Sequence, residues 1–151
     1  NIDISNNSLY IKSPKRLNRV KKIETMAYPG FPTDCQAPVM AALSVANGTS
    51  IIKETIFENR FKHIEQLNLL GTDISINDRI AVVNGVKNIH PADVKCTDLR
   101  GGAAVVIAAL KANGISTVSD IYHIDRGYEC IENQFALLGA DIKRINDEKK
   151  Q

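Results

Sequence analysis

Charged residues of this sequence fall where predicted strands pass into predicted helices, and chemistry is expected at these junctions. The residues are Asp34 in YPGFPTD, Asp98 and Arg100 in TDLRGGAA, Arg60 in FENRF and Arg126 in HIDRG. Helix N-termini offer free N–H groups and the positive end of the helix dipole, so α/β proteins often bind ligands there. Carboxylates and guanidinium groups at such positions suit proton transfer and the binding of an anion.

Asp34 has two interpretations that the sequence leaves open. Thr33 with Gln36 matches a capping box, in which the acidic side chain only supports the start of a helix. An acidic residue in a first turn stabilises a helix by roughly 0.3–1 kcal/mol. In the other interpretation, the rigid Pro-Gly turn holds the Asp34 carboxylate at a binding site.

Arg100 and Arg126 each need a compensating anion, because a cation at the start of a helix opposes the helix dipole. One interpretation pairs them with the neighbouring Asp98 and Asp125. The other directs both arginines, from successive helix starts, at one carboxylate or phosphate of a ligand, which the planar guanidinium group binds well. The sequence does not decide between these interpretations.

Three further residues are expected to be structural or merely solvated. Arg60 has Glu54 and Glu58 close in sequence, so a structural ion pair is expected there. Cys35 is expected to be a small buried thiol, since no histidine is close to it in sequence, and His63 is expected to be solvated on a helix. No metal-ligand spacing, glycine-rich phosphate loop or nucleophile elbow occurs, so neither a metal nor a cofactor is expected.

The elements that position these residues occur twice along the chain. The segment from Thr33 aligns with the segment from Thr97; the matched residues are Thr33-Asp34 with Thr97-Asp98, Asn47-Gly48 with Asn113-Gly114, Arg60 with Arg126, Leu70-Gly71 with Leu138-Gly139, and Asp73-Ile74 with Asp141-Ile142. Each copy predicts a strand, an apolar helix ended by Asn-Gly, a short strand and an amphipathic helix. The first copy adds a hairpin, which completes a βαβαββ unit.

Local signals predict where these elements begin and turn. Strands are predicted over 20–26 and 92–96, each leading into an apolar helix. Asn59 and Asp125 stand where the N-caps of the amphipathic helices belong. The pair Asn77-Asp78 has the chemistry of a hairpin turn.

The repeat predicts that the chain is a piece of a larger repetitive α/β (α+β) protein. Residues 1–27 are predicted to hold the end of a preceding unit and the first strand of the next. Residues 28–87 form a complete βαβαββ-like unit, and 88–151 a second unit without its last strand, all in one partial domain. Such an open strand edge can pair with another segment or a second copy of the chain.

Composition excludes several classes of protein. The 151 residues are 44% apolar and 24% charged, as in ordinary globular domains, and the net charge is only +2. Without a basic block, neither a nucleic acid nor a membrane is expected as a partner. No targeting segment is expected, and the three cysteines (Cys35, Cys96 and Cys130) favour a reducing, cytoplasmic location over a disulfide framework.

Four motifs resemble those of the UDP-N-acetylglucosamine enolpyruvyl transferases: YPGFPTD, ETIFENRF, TDLRGGAA and YHIDRGYE, in this order and spacing. The resemblance covers essentially the whole chain and corresponds to roughly the C-terminal third of such an enzyme. It implies part of an inside-out α/β barrel in a protein of two similar domains. It also implies transfer of the enolpyruvyl group of phosphoenolpyruvate to the 3-hydroxyl of UDP-N-acetylglucosamine, with release of phosphate. This reaction begins peptidoglycan synthesis, and so serves cell-wall formation, cell shape and division.

The resemblance also implies roles at the nucleotide-sugar side of the site. Asp34 is similar to the carboxylate that hydrogen-bonds the attacking hydroxyl and can act as its base. Ile56 resembles the position that contacts UDP-N-acetylglucosamine, and Phe57 lies beside it.

On the phosphoenolpyruvate side, the resemblance implies that Arg100 and Arg126 hold the substrate and that Asp98 is the acid near them. The family's reactive loop cysteine, a lysine and further arginines belong to the other domain. Cys35 therefore does not take the role of that cysteine. The missing N-terminal domain is an expected partner, and the chain alone is expected to be inactive.

Two other functions stay open at this point. The related enolpyruvyl-shikimate-phosphate synthases share the fold but lack FPTD and FENRF. A non-catalytic module that binds a nucleotide sugar through the same helix starts would show the same junction residues.

Overall fold

A computed structural model describes residues 2–145 of the chain, which form eight β-strands and five α-helices. In chain order they are β1 (Ile2–Ser5), β2 (Ser8–Ile11), β3 (Lys22–Glu24), α1 (Gln36–Leu43), β4 (Thr49–Lys53), α2 (His63–Leu69), β5 (Asp73–Asn77), β6 (Ile80–Asn84), β7 (Asp93–Lys95), α3 (Leu99–Ala109), β8 (Thr117–Ser119), α4 (Tyr122–Asp125) and α5 (Ile131–Leu137). A short 3₁₀-helix (Thr33–Cys35) precedes α1 directly.

The main sheet has the strand order β3-β4-β6-β5. β3 runs parallel to β4, with Ile23 opposite Ile52, and the other two pairings are antiparallel. Ile52, Ala81 and Val83 face the core and are buried, while Ile51 faces outward, as the two-residue period of a strand requires. The predicted βαβαββ order is confirmed from β3 to β6.

α1 and α3 pack against each other and form the centre of the core. On another side of α3, Gly102 lets the helix pack closely against Ile124 of α4 and against Cys96, which follows β7. A Cβ at Gly102 would lie 2.9 Å from Cγ1 of Ile124 and 3.0 Å from Sγ of Cys96. Both predicted apolar helices are present, and most of their residues are buried.

The second copy of the repeat begins in the same way as the first. β7 and β8 are parallel, with Val94 opposite Val118, as β3 and β4 are parallel in the first copy. α4 and α5 follow and close a smaller apolar cluster around Cys96, Val106 and Ile124. At the other end of the chain, β1 and β2 form a hairpin, and all of its strand residues are exposed.

The predicted helix caps are wrong. The capping box does not form, because the Thr33 hydroxyl donates to Oε2 of Glu54 at 2.9 Å and no side chain caps α1. Asn59 lies four residues before α2, since the preceding segment turns around Glu54 instead of starting a helix. Asp125 is the last residue of α4.

The Asn-Gly pairs do not end the apolar helices either. α1 ends at Leu43 and α3 at Ala109, several residues before each pair. Gly48 and Gly114 do have positive φ angles, of 91° and 131°, but they shape the loops that lead into β4 and β8. The two glycines therefore have the positive φ angle that was predicted, but they lie in loops and not at the ends of the helices.

Candidate functional site

The Asp34 carboxylate lies between two arginines that are distant in sequence. Its Oδ1 accepts a hydrogen bond from Nη2 of Arg60 at 2.7 Å, and its Oδ2 accepts one from Nη2 of Arg100 at 2.8 Å. We call these three residues the Asp34 cluster. The Asp34 side chain is 56% exposed, so a ligand can reach the carboxylate.

A closed turn places Asp34 at the entrance of α1. The amide of Met26 donates to the carbonyl of Phe31 at 2.9 Å, and that of Gly30 donates to the carbonyl of Ala27 at 2.8 Å. A Cβ at Gly30 would lie 2.3 Å from Cβ of Met26, so the turn needs glycine there. The 3₁₀-helix that carries Asp34 follows at once.

Arg100 lies in the first turn of α3, and its guanidinium group is held by Asp34 on one side and by Tyr128 on the other. Its Nη1 donates to the hydroxyl of Tyr128 at 3.1 Å, and its guanidinium lies 5.8 Å from the centre of that ring. The hydrogen bond to Asp34 raises the pKa of Arg100, with a further contribution from Tyr128. In return, the hydrogen bond from Arg100 lowers the pKa of Asp34, which opposes the effect of burial. The carboxylate is therefore ionised at neutral pH.

Asp98 caps α3 instead of pairing with the guanidinium of Arg100. Its Oδ1 accepts the backbone N–H of Arg100 at 3.0 Å and that of Gly101 at 2.8 Å, and its Oδ2 accepts the hydroxyl of Thr97. Burial raises the pKa of Asp98, but the hydrogen bonds outweigh burial and the net shift is downward. This cap leaves the Arg100 guanidinium available to Asp34.

Arg60 belongs to the Asp34 cluster, and the structural ion pair predicted for it is wrong. Glu58 pairs with Arg79 at 3.2 Å, and Glu54 makes other bonds. The Arg60 guanidinium stacks 4.9 Å from the centre of the Phe57 ring. Its buried Nε has no hydrogen-bond acceptor among the described residues. The repeat, which aligns Arg60 with Arg126, was the signal in the sequence that favoured a site role.

Glu54 positions the neighbourhood of Asp34, a role that the sequence did not reveal. The carboxylate is 1% exposed and accepts the hydroxyls of Thr25 at 2.8 Å and Thr33 at 2.9 Å. It also accepts the backbone N–H groups of Ile56 at 2.8 Å and Phe57 at 3.1 Å. Burial raises the pKa of Glu54, but these four hydrogen bonds outweigh it, so the net shift is downward. Ile56 and Phe57 are exposed beside the Asp34 cluster.

Arg126 is not joined to the Asp34 cluster by any hydrogen bond or ion pair within residues 2–145. It follows α4, where a cation is favourable to the helix dipole, so the argument that it needs an anion was wrong. Asp125 pairs instead with Arg144, through bonds of 2.7 and 2.9 Å. Arg126 is exposed and lies two residues before Tyr128, the partner of Arg100.

Cys35 and His63 are placed opposite to expectation. Cys35 is exposed, because it lies in the 3₁₀-helix that faces solvent. His63 is fully buried at the start of α2, and burial lowers its pKa to about 4. Across residues 2–145, no group of three or more histidine, cysteine or acidic side chains is arranged to hold a metal ion. None of the helices described is long and apolar enough to cross a membrane.

Comparison with known proteins supplies the family of this fold. The family model described as EPSP synthase (3-phosphoshikimate 1-carboxyvinyltransferase) matches residues 2–135, so the chain belongs to this family. The predicted resemblance and the predicted fold class are both confirmed.

The chain is similar to curated enzymes along nearly all of its length. It is 50% identical over 145 residues to UDP-N-acetylglucosamine 1-carboxyvinyltransferase 1 of Clostridium perfringens, covering 95% of this chain and 34% of that enzyme. It is 50% identical over 143 residues to the UDP-N-acetylglucosamine 1-carboxyvinyltransferase of Myxococcus xanthus, with the same two coverages. The chain thus spans about a third of the length of these relatives.

A solved structure shows the same fold. The enolpyruvyl transferase NikO from Streptomyces tendae superposes with a TM-score of 0.85 at 28% identity, covering 95% of this chain and 33% of that protein.

Proposed function

We propose that this chain supplies one wall of the active site of a UDP-N-acetylglucosamine 1-carboxyvinyltransferase. That enzyme moves the enolpyruvyl group of phosphoenolpyruvate to the 3-hydroxyl of UDP-N-acetylglucosamine and releases phosphate, in peptidoglycan synthesis. The observation that carries the proposal is the accessible Asp34 carboxylate held by Arg60 and Arg100. The 50% identity to enzymes of that name supports it.

Asp34 is proposed as the residue that accepts the hydroxyl proton. In the unliganded cluster the arginines make it a weak base, because they stabilise its ionised form. Phosphoenolpyruvate carries a carboxylate and a phosphate, and guanidinium groups bind both well. When Arg100 turns to the substrate, Asp34 loses the hydrogen bond that lowers its pKa most, and its affinity for a proton rises.

The proposed transfer balances as follows. The 3-hydroxyl oxygen forms a bond to C2 of phosphoenolpyruvate and gives its proton to Asp34, while C3 gains a proton from a group outside this chain. The bond between C2 and the phosphate oxygen then breaks, C3 loses a proton and the double bond is restored. Positioning two substrates for such an addition can lower the barrier by about 7–11 kcal/mol.

The other site residues receive supporting roles in this proposal. The exposed Ile56 and Phe57 contact the nucleotide sugar beside Asp34. Arg100 and Arg126 hold phosphoenolpyruvate. In this role Arg126 contacts the ligand directly and makes no bond to the Asp34 cluster. Asp98 acts through α3, since its cap fixes the helix turn that presents Arg100.

The proposal extends to the partners of the chain. The remaining two thirds of the enzyme supply the second wall of the site, and the protein acts in the cytoplasm, where its substrates are made. We also propose that the repeat units of the chain divide at residues 27 and 87, and that an open strand edge allows self-association.

A second candidate is transfer to shikimate 3-phosphate, because the matching family model carries that activity in its description. The two candidates differ in the acceptor alone, so they are separated by offering both acceptors to one protein. A module that binds a nucleotide sugar without catalysis would show binding and no release of phosphate.

The role of Asp34 is tested in a hybrid enzyme, in which this chain replaces the matching third of the Clostridium perfringens relative. We expect Asp34→Asn to lower phosphate release by about 10²–10⁴-fold, as loss of a general base does. The KM for UDP-N-acetylglucosamine should change little, because the amide keeps the size of the side chain. Near-normal turnover of the Asn variant would assign the proton transfer to another group.

A further inference from the structure

A poorly hydrogen-bonded histidine lies buried behind the Asp34 cluster. His63 is the first residue of α2 and is 0% exposed. Within residues 2–145, neither ring nitrogen makes a hydrogen bond of good geometry, and the backbone of Arg60 is a partner of poorer geometry. A leucine at this position would avoid the cost of a poorly paired buried polar group, so stability alone does not explain the histidine.

The surroundings of His63 connect the two segments that carry the arginines. A Cβ at Gly101 would lie 2.9 Å from Cβ of His63 and 2.8 Å from Oδ2 of Asp98. The start of α2 therefore packs on the first turn of α3, beside the carboxylate that caps Arg100 and Gly101. On its own side, His63 is three residues after Arg60, and the backbone of Arg60 interacts with its ring as a hydrogen-bond partner of poorer geometry.

The protonation state of His63 fits this position. Burial lowers the pKa of His63 to about 4; the charge of Arg60 adds to this shift, while Asp98 and the backbone of Arg60 oppose it. The imidazole is therefore neutral at pH 7, with one N–H donor and one acceptor nitrogen. A cationic ring here would attract the Asp98 carboxylate and compete with the backbone N–H groups that it caps. A neutral ring leaves the cap of α3 intact.

We infer that His63 is a positioning residue for the Asp34 cluster. Its neutral imidazole lies between the Arg60 main chain and the capped start of α3, and it sets the separation at which Arg60 and Arg100 both reach Asp34. This inference rests on the proposed function, because the cluster matters to catalysis only if the enzyme transfers the enolpyruvyl group.

The kinetic test uses His63→Leu in the hybrid enzyme, with Gln66→Leu as the matched control. Gln66 lies one turn further along α2, is nearly buried and accepts the backbone N–H of Lys95 at 3.0 Å, away from the cluster. We expect His63→Leu to lower kcat/KM for phosphoenolpyruvate by about tenfold or more, since misplacement by about 1 Å can cost about 100-fold. The melting temperature should stay close to that of the parent. Gln66→Leu should lower the melting temperature and leave kcat/KM unchanged.

Two conservative variants identify the nitrogen that matters. The amide of His63→Asn lies near the position of Nδ1 and that of His63→Gln near Nε2, so one of them should recover part of the lost kcat/KM. Unchanged kinetics in His63→Leu, or an equal loss in Gln66→Leu, would overturn the inference.

A second measurement does not depend on activity and separates this inference from the proposed function. The pKa of Asp34, followed by carbon NMR of its carboxyl group, is held down by Arg100. If His63 positions the arginines, His63→Leu should raise that pKa toward its ordinary value, while Gln66→Leu leaves it in place. A parent hybrid without phosphate release would reject the proposed function alone. An Asp34 pKa that is the same in the His63→Leu variant as in the parent hybrid would reject the positioning role.

Discussion

At the scale of single residues, the two oxygens of Asp34 have different partners, and neither partner is a helix amide. Oδ1 binds Arg60 and Oδ2 binds Arg100, while the adjacent hydroxyl of Thr33 goes to Glu54. The carboxylate is therefore removed from helix capping and left at the surface with two cations. Such ion pairs contribute little to folding, because exposed ion pairs add only about 0–1 kcal/mol to stability.

This arrangement predicts that Asp34→Asn and Asp34→Ala unfold at nearly the same temperature as the parent. Neither change removes a cap, and the arginines left behind remain partly in water. Thermal unfolding followed by circular dichroism measures the effect. If the Ala variant were less stable than the Asn variant by about 1 kcal/mol, the cost of a lost cap, Asp34 would be capping the helix after all.

Arg126 gives a second prediction at this scale. It is exposed and forms no ion pair within residues 2–145, so Arg126→Ala should leave the melting temperature of the hybrid enzyme unchanged. The KM for phosphoenolpyruvate should rise, because a charge-assisted contact to the substrate is lost. Steady-state kinetics and a melting curve, measured on one sample, separate a role of Arg126 in substrate binding from a role in folding. A lower melting temperature with normal kinetics would make Arg126 structural.

The sequence predicted some of these residues and missed others for a physical reason. Asp34 and Arg100 were identified because each lies in a distinctive motif at a helix start. Arg60 was assigned to Glu54 and Glu58, since sequence proximity was the only available guide to its partner. Its actual partner lies 26 residues away, and only folding brings them together.

At the scale of elements, the order of strands and helices followed from local signals, and the helix ends did not. Apolar spacing and turn residues such as Asn77-Asp78 lie within a few positions of the structure they specify. The start of α1 depends instead on a bond from Thr33 to Glu54, 21 residues away, and the start of α2 on a turn around that carboxylate. Buried polar contacts between elements therefore set boundaries that local patterns cannot predict.

The burial of His63 at the contact of α2 with α3 predicts a pH-dependent stability. Its pKa is about 4 in the folded chain and 6.5 in the unfolded chain, so the unfolded chain takes up the proton first as the pH falls. Stability is complete above about pH 6.5 and falls from there toward pH 4. One pKa unit corresponds to about 1.4 kcal/mol, so the loss between pH 7 and pH 5 should be about 2 kcal/mol.

Urea unfolding of the hybrid enzyme and of its His63→Leu variant, each at pH 7 and pH 5, measures this loss of stability. The leucine variant has no proton to take up at this position, so it should lose about 2 kcal/mol less than the parent over the same range. Equal losses in the two proteins would show that His63 does not titrate in this interval.

At the scale of the whole molecule, the chain corresponds to only part of the length of its relatives. It spans about a third of the length of its curated relatives, and the Asp34 side chain is 56% exposed. The apolar side chains of the β1–β2 hairpin are exposed as well.

The central claim is that this wall of the site serves transfer of an enolpyruvyl group to UDP-N-acetylglucosamine. Release of phosphate from phosphoenolpyruvate tests it most directly, measured with the hybrid enzyme and with this chain alone, each offered UDP-N-acetylglucosamine or shikimate 3-phosphate. We expect release by the hybrid with UDP-N-acetylglucosamine, none with shikimate 3-phosphate, and none by the chain alone with either acceptor. A folded hybrid that releases no phosphate with UDP-N-acetylglucosamine, or that prefers shikimate 3-phosphate, would contradict the claim.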